Sequence, residues 1–584
     1  MEKSGSSSSL KSFAKRRLLS DMIGGSREAA KKKNKPCKEF ILVIQKESLS
    51  IINSLLKMTD LTSNGVFGVE RLDLARKPFP MFQAIYFINP TNEAFDQIAQ
   101  DMEDGLYSHI HIFTVSEIPE EVMANLSSKK KMIRKLLSLK ELNLDFRTVD
   151  DCTFTLEMFG ILNYLYFEDH GYKSLICDRI AKKLFCALSI MMPTQSLEVT
   201  FQKTKTCSLV AGGVLDKFQA YLDNLAKSKA PEEDKDGPIK VLILERSYDV
   251  ITPLMHDFYY QSLVGDLLEV GYDDTVSFIT TDQQGKKTNQ KAILDGDDQV
   301  WKEFRYKHMA DALSGVNESF KSMIEQTAAA KLQKGEYDNI DINKMQEIVR
   351  GMPEYTLTLK KYTLHMSLLD RLMGNFSKKN LKEIGDLEQT ISTGVDSDEY
   401  KPSSSKIFQK FFEVLKNNPE LSDDLKLRLS LLLYCNLSLS DSSKTKVKGV
   451  LDSELDKRCL LNLNYLNVDL AAPSKATKNK LSDGHKAEAK KKMRSEKYDL
   501  CRYTVPLDRI LDEYLEGRMD QTKFESQLMP KGAKQKNYLP NNLAAFRSHN
   551  VSKKKRTNRS KLVLFIIGGI TYPEIRVLKT KGKR

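Results

Sequence analysis

Chemistry at a protein site needs side chains of the right type at a spacing that brings them together. His109 and His111 lie two apart, which on a strand puts both imidazoles on one face, a geometry able to bind a metal ion. No nearby Cys, Asp or Glu at ligand spacing completes such a site, so an ordinary strand surface is the stronger reading. Glu245, Asp249 and His256 follow the apolar run Val241 to Leu244 and offer an acid/base set at a strand end, where α/β active sites occur. Pro253, Tyr259 and Tyr260 crowd that segment, and such carboxylates more often cap loops by accepting from backbone N–H groups. Gly212-Gly213 and Gly568-Gly569 are glycine pairs without G-x-G-x-x-G or G-x-x-x-x-G-K-[ST] around them. G-x-S-x-G, the kinase set and H-E-x-x-H are also missing. No catalytic constellation is complete, so the chain reads as no enzyme, with neither cofactor nor metal. Cys37, Cys152, Cys177, Cys186, Cys207, Cys435, Cys459 and Cys501 form no C-x-x-C pair, the pattern of reduced thiols in a cytosolic protein.

The elements that carry these residues follow from apolar periodicity. From Lys38 short apolar runs alternate with helical patterns: Phe40 to Ile44, a helix from Ser48 to Met58, Gly65 to Val69, Ala84 to Ile88, a helix from Asn92 to Met102, Ile110 to Val115, and a helix from Glu120 to Leu139. Runs buried on both faces and alternating with helices indicate a parallel, doubly wound sheet, here a first domain over residues 10–148. Helical patterns at Tyr172 to Met191 and Val214 to Ala226 lead to a linker, Lys227 to Pro238, whose composition cannot pack. Val241 to Leu244 then opens a second sheet, with its partner expected far along the chain in Leu562 to Ile567. That pairing makes the second domain discontinuous, residues 149–259 and 498–584, and turns residues 260–497 into an insertion. The insertion reads as mainly helical: Trp301 to Met323, Met345 to Met373, Leu381 to Thr390, Ile407 to Lys416 and Leu425 to Leu439. Pro353 must kink or restart the second of these, because proline lacks the N–H donor and clashes with the preceding turn. Lys475 to Lys497 reads as a charged loop.

At 584 residues the chain is too long for one core, and 41% apolar with 29% charged residues excludes wholesale disorder. No apolar run approaches the roughly 18 to 20 residues of a membrane span. Arg16, Arg17 and Asp21 break the stretch Leu10 to Gly25, so no secretory signal is expected. The net charge of +13 is unevenly placed: residues 1–35, 471–497 and 547–584 together carry +24, leaving the remainder at −11. Charge confined to tails and loops is the pattern of solvated segments, or of attraction to anionic membrane surfaces, whereas a nucleic-acid-binding fold spreads it over an ordered face. A basic nucleic-acid or phosphoinositide binder is the rival reading, and a nucleotide-using or hydrolase-like enzyme the third.

Several segments, read in order, resemble one family. Val241 to Leu263, VLILERSYDVITPLMHDFYYQSL, is similar to the signature of the SM (Sec-one/Munc-eighteen) family: Arg246, Asp249, Pro253, His256 and Tyr260-Gln261 match, while Glu245 and Val250 replace the usual Asp and Pro. Leu562 to Arg576, LVLFIIGGITYPEIR, resembles the family's late strand with its Gly568-Gly569 and Glu-hydrophobic-Arg ending. Lys57 to Asp60, Ala84 to Thr91, Trp301 with Lys307 to Ala310, Met352 to Tyr355 with Lys361 to His365, and Arg502 to Pro506 fit in the same order. The exocytic Sec-one branch looks nearest.

The resemblance implies an arch-shaped, three-domain α/β plus α protein with two parallel-sheet domains and a large, mainly helical insertion. It implies a regulator of SNARE-mediated vesicle docking and fusion, with a syntaxin-type SNARE and the assembled SNARE complex as partners and no nucleic acid. A monomer is expected, cytoplasmic and peripheral to plasma or secretory membranes. The syntaxin cleft falls on Lys57 and Glu70 as charged clamps, with Ser50 and Gln45 beside them. The pocket for a syntaxin N-terminal peptide falls on Phe113, Thr114, Met123, Leu126 and Met132. The hinge of a helical hairpin, near residues 330–375, falls on Pro353, Tyr355 and Tyr362, where the family is thought to switch between a folded-back loop and an extended helix that templates the vesicle SNARE. Family members continue past the Glu-x-Arg motif with another strand and helix, so a shortened second domain is expected.

Overall fold

Short runs of large apolar side chains have no polar face to show water and settle where a sheet is covered on both sides. Phe40–Ile44 (β1), Val66–Arg71 (β2), Gln83–Ile88 (β3), Ile110–Thr114 (β4) and Leu136–Glu141 (β5) form such a sheet, in the order β2-β1-β3-β4-β5. All neighbours are parallel, and β1, β3 and β4 are buried at every position. Side chains alternate between the faces. Phe40, Leu42, Ile44, Ile85, Phe87 and Phe113 join one core; Ile41, Val43, Tyr86, Ile88, Ile110 and Ile112 join another.

This computed structural model describes residues 9–35, 37–166, 170–191, 196–227, 239–271, 274–281, 287–294, 296, 298–326, 342–470, 478–479, 483–495, 497–529 and 561–582. The chain divides into two units, Met1–Glu245 with Asp520–Gly569, and Arg246–Met519 with Ile570–Arg584. A second sheet completes the first unit: Leu197–Gln202 (β6), Ile239–Glu245 (β7), Phe524–Met529 (β8) and Lys561–Ile567 (β9), in the order β8-β6-β7-β9. The expected long-range pairing is present: β7 and β9 run parallel from Ile239 opposite Lys561 to Glu245 opposite Ile567. The antiparallel edge strand β8 was not foreseen.

The second unit is mainly helical, with Met309–Gln326, Ile342–Lys378, Leu381–Thr393, Ser404–Asn417 and Asp423–Asn436 among its helices. Leu368, Leu369, Leu372, Ile384, Phe411, Leu429 and Leu432 fill its core. Side-chain oxygens of Ser403 and Ser422 cap two of these helices. Gly385 is required by close approach, since a Cβ there would lie 2.6 Å from the Phe258 ring.

Several expectations need correction; the helix over Trp301 to Met323, for one, is two, Gln299–Phe304 and Met309–Gln326. The helix from Ser48 to Met58 is two, Leu49–Leu55 and Met58–Ser63, because Asp60 accepts the Lys57 N–H at 3.0 Å and starts a new helix. The helix over Glu120 to Leu139 is two, Glu120–Ser128 and Lys130–Lys135, and its last residues become β5, whose backbone pairs with β4. Asp483–Ser495 is helix and not charged loop, in keeping with the helix propensity of Lys, Glu and Ala. Of the two outcomes expected at Pro353, a kink or a restart, the restart does not occur: the helix Ile342–Lys378 runs through it. Proline there disfavours helix by about 3 kcal/mol, while the buried Leu364, Leu368, Leu369 and Leu372 hold the later part of the same helix in the core.

Candidate functional site

The signature segment begins where β7 ends. Arg246 is buried and its guanidinium donates two hydrogen bonds to Glu574, at 2.7 and 3.2 Å, while its Nε–H donates to the Asp249 carbonyl at 2.9 Å. The Tyr248 hydroxyl also donates to Glu574. Burial opposes charge on Glu574, but the bonds from Arg246 and Tyr248 outweigh it and hold the carboxyl below its ordinary range. Glu574 is placed by a capping box at the start of helix Tyr572–Lys581, its Oε2 accepting the Thr571 N–H at 2.7 Å. Asp249 accepts the N–H groups of Ile251 and Thr252 at 2.9 and 3.0 Å, closing the loop that leads into the turn Thr252–Leu254 with Pro253 inside. His256 is fixed to Glu388 through ring Nδ1 at 2.7 Å and through its own N–H at 2.9 Å.

The acid/base set therefore does not assemble: Asp249 caps a loop, His256 anchors a helix, and Glu245 takes the Tyr166 hydroxyl. The motif is a set of cross-links, the foremost joining residues 328 apart in sequence. Gly568 and Gly569 have φ of 104° and 100°, a backbone that only glycine adopts without strain. His111 is not on a strand surface. It is fully buried between Ser138 Oγ at 2.8 Å and Gln83 Oε1 at 3.0 Å, and burial lowers its pKa to about 4. Among the described residues no group of three or more His, Cys, Asp or Glu is placed to hold a metal ion.

Open parallel sheets offer ligands the crevice beyond the strand ends where strand order reverses, here between β1 and β3. Gln45 bridges it, its Oε1 accepting the Asn89 N–H at 2.8 Å. Glu70 stands half-buried on the edge strand β2, with the Tyr107 hydroxyl donating to Oε2 at 2.6 Å. Ser50 donates to Glu157 at 2.7 Å. Lys57 is exposed at the start of helix Met58–Ser63. The helices bearing Ser50 and Lys57 pack on the face of Phe40 and Leu42, whereas Glu70 lies in the row of Val43 and Tyr86 on the other face. The four thus lie on both sides of the β1–β2 border. Phe67 on β2 and Met81 just before β3, 58% and 90% exposed, are apolar groups that spacing did not single out.

The peptide-pocket residues do not line one opening. Phe113 packs with Phe40 and Phe87, Leu126 and Met132 pack with Ile110 and Ile112 on the opposite face, and Thr114 is buried, donating to the Ser116 carbonyl at 2.7 Å. Only Met123, 38% exposed, reaches the surface. In the hairpin region Pro353 is exposed and Tyr355 half-buried, and the Tyr362 ring lies 5.7 Å from Phe320 of helix Met309–Gln326. The hairpin tip, residues 327–341, falls outside the described residues. The second unit also holds a cavity of about 420 Å³ lined by Met255, Asp257, Tyr259, Lys491, Cys501 and Arg576 among others. Its walls come from four distant stretches, so no spacing pattern reveals it.

A model described as the Sec1 family matches residues 40–584, and the chain belongs to that family. It is 24% identical to the protein transport protein sec1 of Dictyostelium discoideum, over 97% of this chain and 94% of that one. It is likewise 24% identical to the SNARE-interacting protein KEULE of Arabidopsis thaliana, over 89% and 79% of the two chains. Its fold is that of the Unc18–syntaxin 1 complex structure from Monosiga brevicollis, with a TM-score of 0.76 at 23% identity and coverage of 98% of this chain and 95% of that one. The SM protein Vps45, solved with the Qa SNARE Tlg2, gives a TM-score of 0.70 at 16% identity, covering 97% and 93%.

Two outcomes follow from this geometry. The folded pKa of Glu574 is depressed, so its stabilisation is complete above the unfolded carboxyl value of about 4.3 and is lost as pH falls through the folded value. Urea midpoints of the wild type and Glu574→Gln, well separated at pH 7, should draw together as pH falls from about 4.3 through the folded value. Phe113→Arg buries an unpaired charge and should lower the melting temperature sharply in a circular-dichroism melt, whereas Met123→Arg should leave it near the wild-type value.

Proposed function

We propose that this chain regulates SNARE-mediated vesicle docking and fusion, acting by binding and not by catalysis. It holds a syntaxin-type SNARE and templates assembly of the SNARE complex. The observation that carries this reading is the family match running from residue 40 to residue 584, supported by a fold shared with proteins solved alongside syntaxin 1 and Tlg2. In this reading three domains, residues 10–148, 149–259 with 498–584, and 260–497, do the work together as a monomer. No helix among the described residues is long and apolar enough to cross a membrane. The protein meets plasma or secretory membranes peripherally from the cytoplasm, through its SNARE and with added attraction from the three basic stretches.

The cleft lies along the β1–β2 border. Exposed Lys57 and half-buried Glu70, on opposite faces of the sheet, offer charges of both signs to a helical bundle, which favours register and on-rate more than raw affinity. Ser50 and Gln45 fill the polar ground nearby, while Phe67 and Met81 supply apolar seats of the kind that anchor interfaces. Met123 is the exposed residue through which an N-terminal peptide is felt. Pro353, with Tyr355 and Tyr362 following it, sets how readily the hairpin helix extends.

Pull-down of a soluble syntaxin-type SNARE by the full-length chain, with and without the SNARE's N-terminal peptide, tests the reading; no retention of any candidate would sink it. Lys57→Glu should weaken retention about tenfold, and full affinity in both Lys57→Glu and Met123→Arg would remove the site assignment. Pro353→Ala relieves about 3 kcal/mol of helix disfavour and should speed SNARE-dependent liposome fusion; an unchanged rate would discard the hinge.

A further inference from the structure

Glu70 is attached to a buried polar network that runs back into the first sheet. The Tyr107 hydroxyl donates to Glu70 Oε2 at 2.6 Å, and Tyr107 is only 1% exposed. Its ring meets Tyr86 edge-on at 6.2 Å, and the Tyr86 hydroxyl donates to Asp101 Oδ2 at 2.7 Å. Asp101 Oδ1 accepts from Arg76 Nη2 at 2.5 Å, an ion pair whose side chains are both 7% exposed. The other guanidinium arm, Nη1, returns to the carbonyls of Arg71 and Leu72 at 3.2 and 3.1 Å. The strand end next to Glu70 is thereby tied to Asp101 in helix Asn92–Glu103, while the carboxylate itself is tied to Tyr107. Burial and then Glu70 push the Tyr107 hydroxyl far above its ordinary range, so it stays a donor at neutral pH.

A glutamate free to rotate loses up to about 2 kcal/mol of side-chain entropy when a partner fixes it. A group already held in place avoids much of that loss, which is how pre-organisation raises affinity. One oxygen of Glu70 is engaged by Tyr107, and the other has no further partner among the described residues. We infer that Tyr107 is a positioning residue that holds Glu70, within the frame set by Arg76, Asp101 and Tyr86, so that its second oxygen meets a lysine or arginine on a helix of the bound SNARE. This rests on Glu70 being a cleft contact.

The test is a double-mutant cycle on the full-length chain, with the syntaxin-type SNARE retained in the pull-down as probe, measured at low and high salt. Tyr107→Phe keeps the ring and removes only the hydroxyl. It should weaken binding about three- to tenfold at low salt, less at high salt, and the double variant with Glu70→Gln should bind no more weakly than Glu70→Gln alone. Glu70→Asp keeps the charge but draws it back from the hydroxyl, and should match Tyr107→Phe even if that variant folds poorly. If Glu70→Gln weakens binding while Tyr107→Phe and Glu70→Asp do not, the positioning role is overturned and the cleft contact stands. Losses that multiply in the double variant also overturn it. If Glu70→Gln binds like the wild type, contact and positioning fall together.

Discussion

The backbone pairing of Ile239–Glu245 with Lys561–Ile567 is the constraint from which the architecture follows. A central parallel strand with an unpaired side would leave buried N–H and C=O groups without partners, each costing about as much as a lost hydrogen bond. Only a strand of equal length and apolarity relieves that, and the chain supplies it more than three hundred residues later. The intervening chain must leave the sheet and come back, which forces an excursion large enough to form a core of its own around Leu368, Ile384 and Leu429.

The ion pair between Arg246 and Glu574 is the polar counterpart of that pairing. Both side chains are buried, and desolvation of two charges offsets much of their mutual attraction, so the pair contributes modest net stability. Its value lies in directionality. A guanidinium held by a carboxylate and a carbonyl, with a phenol donating to the same carboxylate, accepts one geometry, and that geometry joins the residues after β7 to the helix that follows β9. Asp249 and His256 extend the same logic, each satisfied by a fixed partner.

Legibility of the sequence varied with the strength of the local physical signal. The strands β1, β3, β4 and β7 are readable because burial on both faces favours a dense apolar run. The edge strand β5 was read as helix because Leu136–Glu141 is only partly covered and shows no two-residue alternation. Asp483–Ser495 looked like a loop because charge dominates it, yet burying Ala489 is enough to seat it. Within the candidate site, the spacing of Arg246, Asp249 and His256 announced importance but not role, which depends on Glu574 and Glu388 far away in sequence. Phe113 packs on the face away from Leu126 and Met132 for a reason visible in IHIFT itself: neighbours along a strand point to opposite faces. Tyr107, Arg76 and Asp101 left no trace in spacing, because their relation exists only once β2, β3 and the helix after β3 are packed.

The lateness of β9 in the chain bears on biosynthesis. A ribosome adding about 5–20 residues per second needs roughly 15–60 s to travel from the end of β7 to the strand that completes it. Throughout that interval the nascent chain carries an apolar strand edge without its partner, the sort of surface on which chaperones act and aggregates nucleate. The sheet of the first unit can therefore close only after nearly the whole chain has been made.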